Sequence, residues 1–160
     1  MIHALSARKK KSSDSEAIPV ILASDDNYAV GVATTVYSIL KKTRATIHFF
    51  VLHNGMSISH MRRIRKSNSM FRNFILEFVD VRPCLLERFP NVDYYGVVAF
   101  ARYFIPDLFP RLQKVIYTDV DVIFNGDIRE YYDIGMDGYG VAASLDEIGA
   151  DPEMPYSYIY

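Results

Sequence analysis

Short apolar runs alternate with stretches of helical periodicity along most of the chain. Residues 18–23 (Ile-Pro-Val-Ile-Leu-Ala) form an unbroken apolar run that stops at Ser24-Asp25-Asp26-Asn27. A run of that length without polar alternation predicts a strand buried on both faces. The polar cluster predicts a helix start. Ala29, Val32, Ala33, Val36, Ile39 and Leu40 follow at helical spacing, and Lys41 and Lys42 close the segment where cations suit the helix dipole. Residues 47–52 predict a second strand. Ser57 then caps a helix with Ile58, Met61 and Ile64 on one face and Arg62, Arg63, Arg65 and Lys66 on the other, a basic face read as solvated. Residues 74–79 predict a third strand. Residues 97–104 predict a helix with its apolar face at Val97, Phe100, Ala101 and Phe104, and Pro106 opposes its continuation. Residues 114–118 predict a fourth strand running into Asp119-Val120-Asp121, after which Val122-Ile123-Phe124 resumes the apolar run. Asp127 caps a short helix through Tyr132, and residues 140–144 predict one more strand. Strands alternating with helices indicate an α/β domain with a largely parallel sheet.

Composition narrows the function classes. Half of the 160 residues are apolar and 14% aromatic, which excludes an intrinsically disordered chain. Lys and Arg total 18 against 19 Asp and Glu, so no global positive field exists to hold nucleic acid. Cys84 is the single cysteine, which excludes an intrachain disulfide and a thiolate metal site. No apolar run reaches the roughly 20 residues needed to cross a bilayer. Residues 1–17 carry Arg8, Lys9, Lys10 and Lys11 without an apolar stretch behind them, so they read as a flexible tail rather than a secretory signal, with weak contact to anionic lipid as the lesser reading. His3, His48, His53 and His60 show no metal-ligand spacing, and His48, in a strand, reads as structural.

Three constellations could carry chemistry. In parallel sheets ligands bind beyond the carboxyl ends of the strands, and both acidic clusters fall at such ends. Asp119 and Asp121 lie two apart, so in extended chain they point to one side. Two close carboxylates repel, and a hard divalent cation such as Mg²⁺ or Mn²⁺ relieves that cost while keeping positions open for phosphate oxygens. The bland alternative is a solvated turn. Ala23-Ser24-Asp25-Asp26-Asn27-Tyr28 either caps a helix or binds a nucleoside, with Asp and Asn on a base edge or ribose and Tyr28 stacked on the base. Arg102 stands on an otherwise apolar helix, where it pairs with a structural carboxylate or faces a sugar or phosphate.

Taken together, Ile21-Leu22-Ala23-Ser24-Asp25-Asp26-Asn27-Tyr28, Phe100-Ala101-Arg102 and Lys114-Val115-Ile116-Tyr117-Thr118-Asp119-Val120-Asp121-Val122 resemble glycosyltransferase family 8 in order and spacing. That family includes bacterial lipopolysaccharide galactosyl- and glucosyltransferases. The resemblance implies a GT-A fold, Rossmann-like with a mainly parallel sheet flanked by helices. It also implies transfer of a hexose from a UDP-sugar (UDP-glucose or UDP-galactose) to a saccharide or glycolipid acceptor, with retention. By residue match, Asp119 and Asp121 would bind Mn²⁺ or Mg²⁺ at the donor diphosphate. Ala23, Asp25, Asn27 and Tyr28 would contact uracil and ribose, and Arg102 and Val120 the donor. The implied location is the cytoplasm, with the inner face of the membrane as a secondary reading.

The resemblance further implies that the acceptor-binding region and a distal histidine completing the metal site lie downstream of Tyr160. Residues 18–160 are therefore expected to be the donor-binding part of the domain, with no catalytic residue assigned in it and no complete transfer by this chain alone. Two rivals remain. One is an inactive nucleotide-sugar-binding remnant. The other is a haloacid-dehalogenase-type phosphatase, whose nucleophile motif Thr118-Asp119-Val120-Asp121-Val122 also fits; its placement late in the chain opposes that reading.

Overall fold

The computed structural model describes residues 17–82 and 97–143. The expected tail lies outside the described residues except for Ala17, as do Cys84 and Ser144. Four parallel strands form one sheet: β1 (Ile18–Ser24), β2 (Ile47–His53), β3 (Phe74–Asp80) and β4 (Ile116–Thr118), in the order β3-β2-β1-β4. β1 is central and all seven of its residues are buried, as its unalternating composition predicts. Pro19 is tolerated there for a specific reason. The Ile18 amide donates toward β2, to Thr46 O at 2.9 Å, so position 19 faces the other side. On that side β4 pairs only from Val20 onward, and the missing Pro19 N–H interrupts no ladder.

Helices cover both faces. α1 (Ala29–Lys42) and α2 (Ile58–Ser67) pack on one, around Val20, Leu22, Phe49, Val51, Val32, Val36, Ile39 and Ile64. The other face holds Ile21, Ala23, Phe50 and Leu52 against Ala101 and Phe104. Ser57 caps α2 by accepting from His60 N, and Asp127 caps the short α4 (Ile128–Tyr132) by accepting from Arg129 N, both as expected.

The second half of the chain departs from expectation in four places. Residues Val97–Phe104 form a 3₁₀ helix, not an α-helix. Val98, Ala101 and Phe104 recur every third position and, together with Phe100, pack on the far face of the sheet, a spacing that three residues per turn accommodates. Pro106 does not end helical structure: α3 (Ile105–Leu108) follows directly, with the proline in its first turn, where a missing N–H costs nothing. β4 is three residues long, and Val122 and Ile123 after it are exposed rather than buried. Residues 140–143 form no strand.

His53, at the end of β2, is buried, and its Nδ1 accepts from the amides of Gly55 and Met56, both at 3.2 Å. Burial holds its pKa below the ordinary 6.5. The unfolded chain therefore takes up a proton that the folded one refuses. The resulting stability is complete above about pH 6.5 and falls as the pH drops toward and through the folded value. Urea melts between about pH 7.5 and about pH 5.5 should show that loss, and His53→Asn, which keeps an acceptor but cannot titrate, should flatten it. An equal slope in both proteins would show that His53 is not the source.

Candidate functional site at the carboxyl edge of the sheet

β2 and β3 extend the sheet to one side of β1, and β4 extends it to the other. The crevice at such a reversal, beyond the carboxyl ends of β1 and β4, is where open α/β sheets bind ligands. The segments that leave these two strands are Asp25–Tyr28 and Asp119–Asp121, in register through Leu22 and Thr118.

The first segment is shaped by its own carboxylates. Asp25 Oδ1 accepts from the amides of Asn27 (2.9 Å) and Tyr28 (3.1 Å), and its Oδ2 accepts from Asn27 Nδ2 (3.3 Å). Asp25 thus folds the turn that enters α1, the structural role that was one of its two readings, while remaining solvent-accessible. Tyr28 is 62% exposed, and among the described residues its ring meets no other ring or cation. Ala23 is buried at the end of β1 and its methyl group belongs to the core. Asp26, which sequence reasoning left without a role, accepts from Ser57 N (2.7 Å) and His60 Nδ1 (2.8 Å). The Ser57 amide and then His60 hold its pKa below the usual carboxylate value. Asp26 therefore ties this turn to the start of α2.

The second segment is organised around Asp119. Its Oδ1 accepts from Tyr117 Oη (2.9 Å) and lies 3.4 Å from an Arg102 terminal nitrogen. Arg102 also donates from Nε to Ala99 O (3.0 Å), and its guanidinium lies over the Tyr117 ring, 4.8 Å from the centroid. The carboxylate partner anticipated for Arg102 exists, but the arginine is not buried; its side chain is 42% exposed. Burial first, then the Asp119 charge, raises the Tyr117 pKa far above the usual phenol value, with Asp121 adding to the effect. Both carboxylates thus act on one hydroxyl. Tyr117 was missed in the sequence, although it lies two residues before Asp119 and so on the same side of the chain. Among the described residues Asp121 makes no hydrogen bond or ion pair. A cavity of about 970 Å³ opens beside the motif, lined in part by Arg102, Tyr117, Thr118 and Val122.

α1 holds this second segment in place. Thr35 Oγ1 lies 3.0 Å from both Val120 O and Val122 O, and Ser38 Oγ accepts from Phe124 N at 3.0 Å. Gly31 faces the same backbone: a Cβ there would stand 2.6 Å from Val120 O. Gly31, Thr35 and Ser38 share one helix face, so the loop after β4 rests on α1 while the turn after β1 begins it. The Val120 carbonyl is committed to Thr35 and its side chain packs on the core, which leaves Asp119 and Asp121 as the accessible groups of the motif.

Two exposed carboxylates form a hard oxygen donor set of the kind Mn²⁺ or Mg²⁺ accepts. No third His, Cys, Asp or Glu joins them among the described residues.

The sequence profile described as glycosyl transferase family 8 matches residues 19–156, which include both segments and Arg102. The chain belongs to glycosyl transferase family 8. Human glycosyltransferase 8 domain-containing protein 1 is 31% identical over 137 residues, covering 82% of this chain and 37% of the relative. Glycosyltransferase GlyD of Streptococcus pneumoniae is 28% identical over 130 residues, covering 81% of this chain and 16% of the relative. Among solved structures, the bifunctional glycosyltransferase WbbM superposes with a TM-score of 0.67 at 29% identity, over 79% of this chain and 22% of its own. The galactosyltransferase LgtC, solved with donor and acceptor sugar analogues, superposes with a TM-score of 0.63 at 25% identity, over 74% of this chain and 43% of its own. The fold is accordingly the GT-A type. The chain spans less than half the length of the curated relatives it matches. The phosphatase reading of the Asp-x-Asp motif is overturned by this membership.

If this turn takes a nucleoside, the other reading of Asp25 and Asn27, then Asp25→Ala and Asn27→Ala would each weaken uridine binding in the absence of metal, by about 1.5–3 kcal/mol for the aspartate, the worth of a hydrogen bond to a charged group. Titration calorimetry with uridine checks this. Normal affinity accompanied by a lower melting temperature would leave Asp25 with its turn-forming role alone.

Proposed function

We propose that this family 8 chain binds a UDP-hexose at the carboxyl edge of β1 and β4, as the donor site of a metal-dependent, retaining hexosyltransferase with a saccharide or glycolipid acceptor. The observation that carries the reading is the meeting of Arg102, Tyr117 and Asp119 at the reversal point of the sheet, beside the turn that starts α1. In this reading Asp25 and Asn27 bind the uracil or ribose through hydrogen bonds, and Tyr28 offers its exposed ring to the base. Asp119 and Asp121 would hold Mn²⁺ or Mg²⁺, which as a Lewis acid stabilises negative charge on the departing diphosphate. Tyr117 orients Asp119 by donating to Oδ1, which leaves Oδ2 for a cation. Arg102 is a planar cation suited to phosphate or sugar oxygens and reaches them by exchanging its long contact with Asp119. A hexose donor is supported by the family and by the galactosyltransferase LgtC; retention rests on the resemblance alone.

Calorimetry with UDP, UDP-glucose and UDP-galactose, with Mn²⁺ and with a chelator, tests the site. Binding strengthened by Mn²⁺ is expected. Absence of binding to every uridine nucleotide, with the protein folded, would refute the reading.

A further inference from the structure

Charge is unevenly distributed along this chain. From Asn27 to Leu76 it carries eight cations (Lys41, Lys42, Arg44, Arg62, Arg63, Arg65, Lys66 and Arg72) and no carboxylate, whereas the remainder carries ten cations and all nineteen acids. The fold gathers these eight on one side. α1 and α2 cover the same face of the sheet, and each returns the chain toward the amino ends of the strands. Lys41, Lys42 and Lys66 therefore end their helices at the same edge. Arg44 and Arg72 lie in the turns that follow, and Asn73 Nδ2 bonds these turns together through Ala45 O at 2.8 Å. Arg62, Arg63, Arg65 and Lys66 are exposed along α2, and among the described residues none is ion-paired.

Apolar groups punctuate the same surface. Ile58 at the start of α2 is 66% exposed and Met70 beyond its end is 67% exposed. Between α1 and α2 runs an open groove of about 410 Å³, floored by Ala29, Ala33 and Ile64 and bordered by Arg63. The carboxylates that adjoin the region are engaged: Asp26 by Ser57 and His60, and Asp127 by the Arg129 amide and the Thr43 hydroxyl.

We propose that the outward face of α2, with the two cationic turns at its C-terminal end, seats the protein on a bilayer surface carrying anionic phospholipid. Clustered Lys and Arg on an amphipathic helix are attracted to such a surface, and Ile58 and Met70 are placed to enter the headgroup layer at either end. Single-stranded nucleic acid is disfavoured as the occupant. Its binding needs aromatic stacking platforms, which the outward face of α2 lacks, and the strongly acidic remainder repels a polyanion that extends past the patch. Lys41, Lys42, Arg44, Lys66 and Arg72 lie toward the amino edge of the sheet, opposite the candidate donor site at the carboxyl edge. No described helix is long and apolar enough to cross a membrane, so attachment through these residues is peripheral.

The test is co-sedimentation of the full chain with vesicles of equal parts phosphatidylcholine and phosphatidylglycerol, against vesicles of phosphatidylcholine alone. Binding to the anionic vesicles only, weakened by salt, is expected. At about a fivefold loss per cation near the surface, the combined Arg62→Gln, Arg63→Gln, Arg65→Gln and Lys66→Gln variant should bind about two to three orders of magnitude more weakly. Ile58→Ser, which leaves the charge unchanged, should weaken binding several-fold, with an unaltered melting temperature confirming the fold in each case. Three outcomes would overturn the proposal: no binding to anionic vesicles, equal binding by the four-fold variant (which would assign the contact to Arg8–Lys11 or elsewhere), or binding of single-stranded RNA but not of vesicles.

Discussion

Asp119→Asn is expected to abolish the strengthening of UDP binding by Mn²⁺ while leaving the fold intact. Asparagine retains an Oδ1 that accepts from the Tyr117 hydroxyl, so the hydrogen bond at 2.9 Å survives. What is lost is the charge. With one of two carboxylates neutral, the remaining donor set competes poorly with water for a hard cation. Metal affinity should fall by more than the ~10- to 100-fold that outer-sphere partners alone command. Asp121→Asn should do the same without touching Tyr117 or Arg102, since Asp121 contacts neither by hydrogen bond. Tyr117→Phe is the informative intermediate. It removes only the bond that orients Asp119, and should weaken metal-dependent binding within that ~10- to 100-fold range. Calorimetry of UDP with Mn²⁺ and with chelator decides. If the wild-type chain gains affinity from Mn²⁺ and Asp119→Asn gains as much, the metal is held elsewhere.

Gly31→Ala should be destabilising, the reverse of what helix propensity predicts. In a solvated helix the change would stabilise by roughly 0.5–1 kcal/mol, because glycine loses more backbone entropy on folding. Here the added methyl group would lie 2.6 Å from a backbone carbonyl oxygen, Val120 O, which cannot swing aside as a flexible side chain would. The loop after β4 must shift, and Asp119 and Asp121 shift with it. A cost of about 1–3 kcal/mol, the range for overpacking, is expected in urea unfolding, together with weaker metal-dependent UDP binding. Thr35→Val tests the same contact without adding bulk. It is close to isosteric but removes the single hydroxyl proton that Val120 O and Val122 O share, costing about 1–3 kcal/mol for the donor lost. Thr35→Ser should restore most of it. A stable Gly31→Ala protein with unchanged UDP affinity would show that the loop does not depend on α1.

Sequence reasoning succeeded where the determining forces are local. The unbroken apolar run 18–23, the helical spacing from Ala29 to Leu40 and the caps Ser57 and Asp127 each depend on residues within a few positions, and the structure reproduces them. The motif placement was legible for the same reason. A polar cluster that interrupts an apolar strand marks its carboxyl end, and parallel topology puts all such ends on one edge. Residues 97–104 misled because their apolar positions fit periods of both 3 and 3.6. Choosing between them took the contacts of Val98, Ala101 and Phe104 with the far side of the sheet. Residues 140–143 have strand-like composition but no pairing neighbour among the described residues, and composition alone cannot supply a ladder.

The amino-acid sequence by itself determined the alternation of elements, the family, and the side chains available for chemistry at the carboxyl edge. Only the tertiary structure decided what each of these side chains does there. It assigned Arg102 to Asp119 across 17 positions, Asp26 to Ser57 and His60 across more than 30, and Thr35 to Val120 across 85. It also turned Gly31 from an apparent weakness in a helix into the one residue small enough for its place. The physical reason is common to all four. A hydrogen bond or steric contact between distant segments depends on the sheet order and on how the flanking helices pack on its two faces. Neither quantity is encoded in the local pattern around any of the residues that meet.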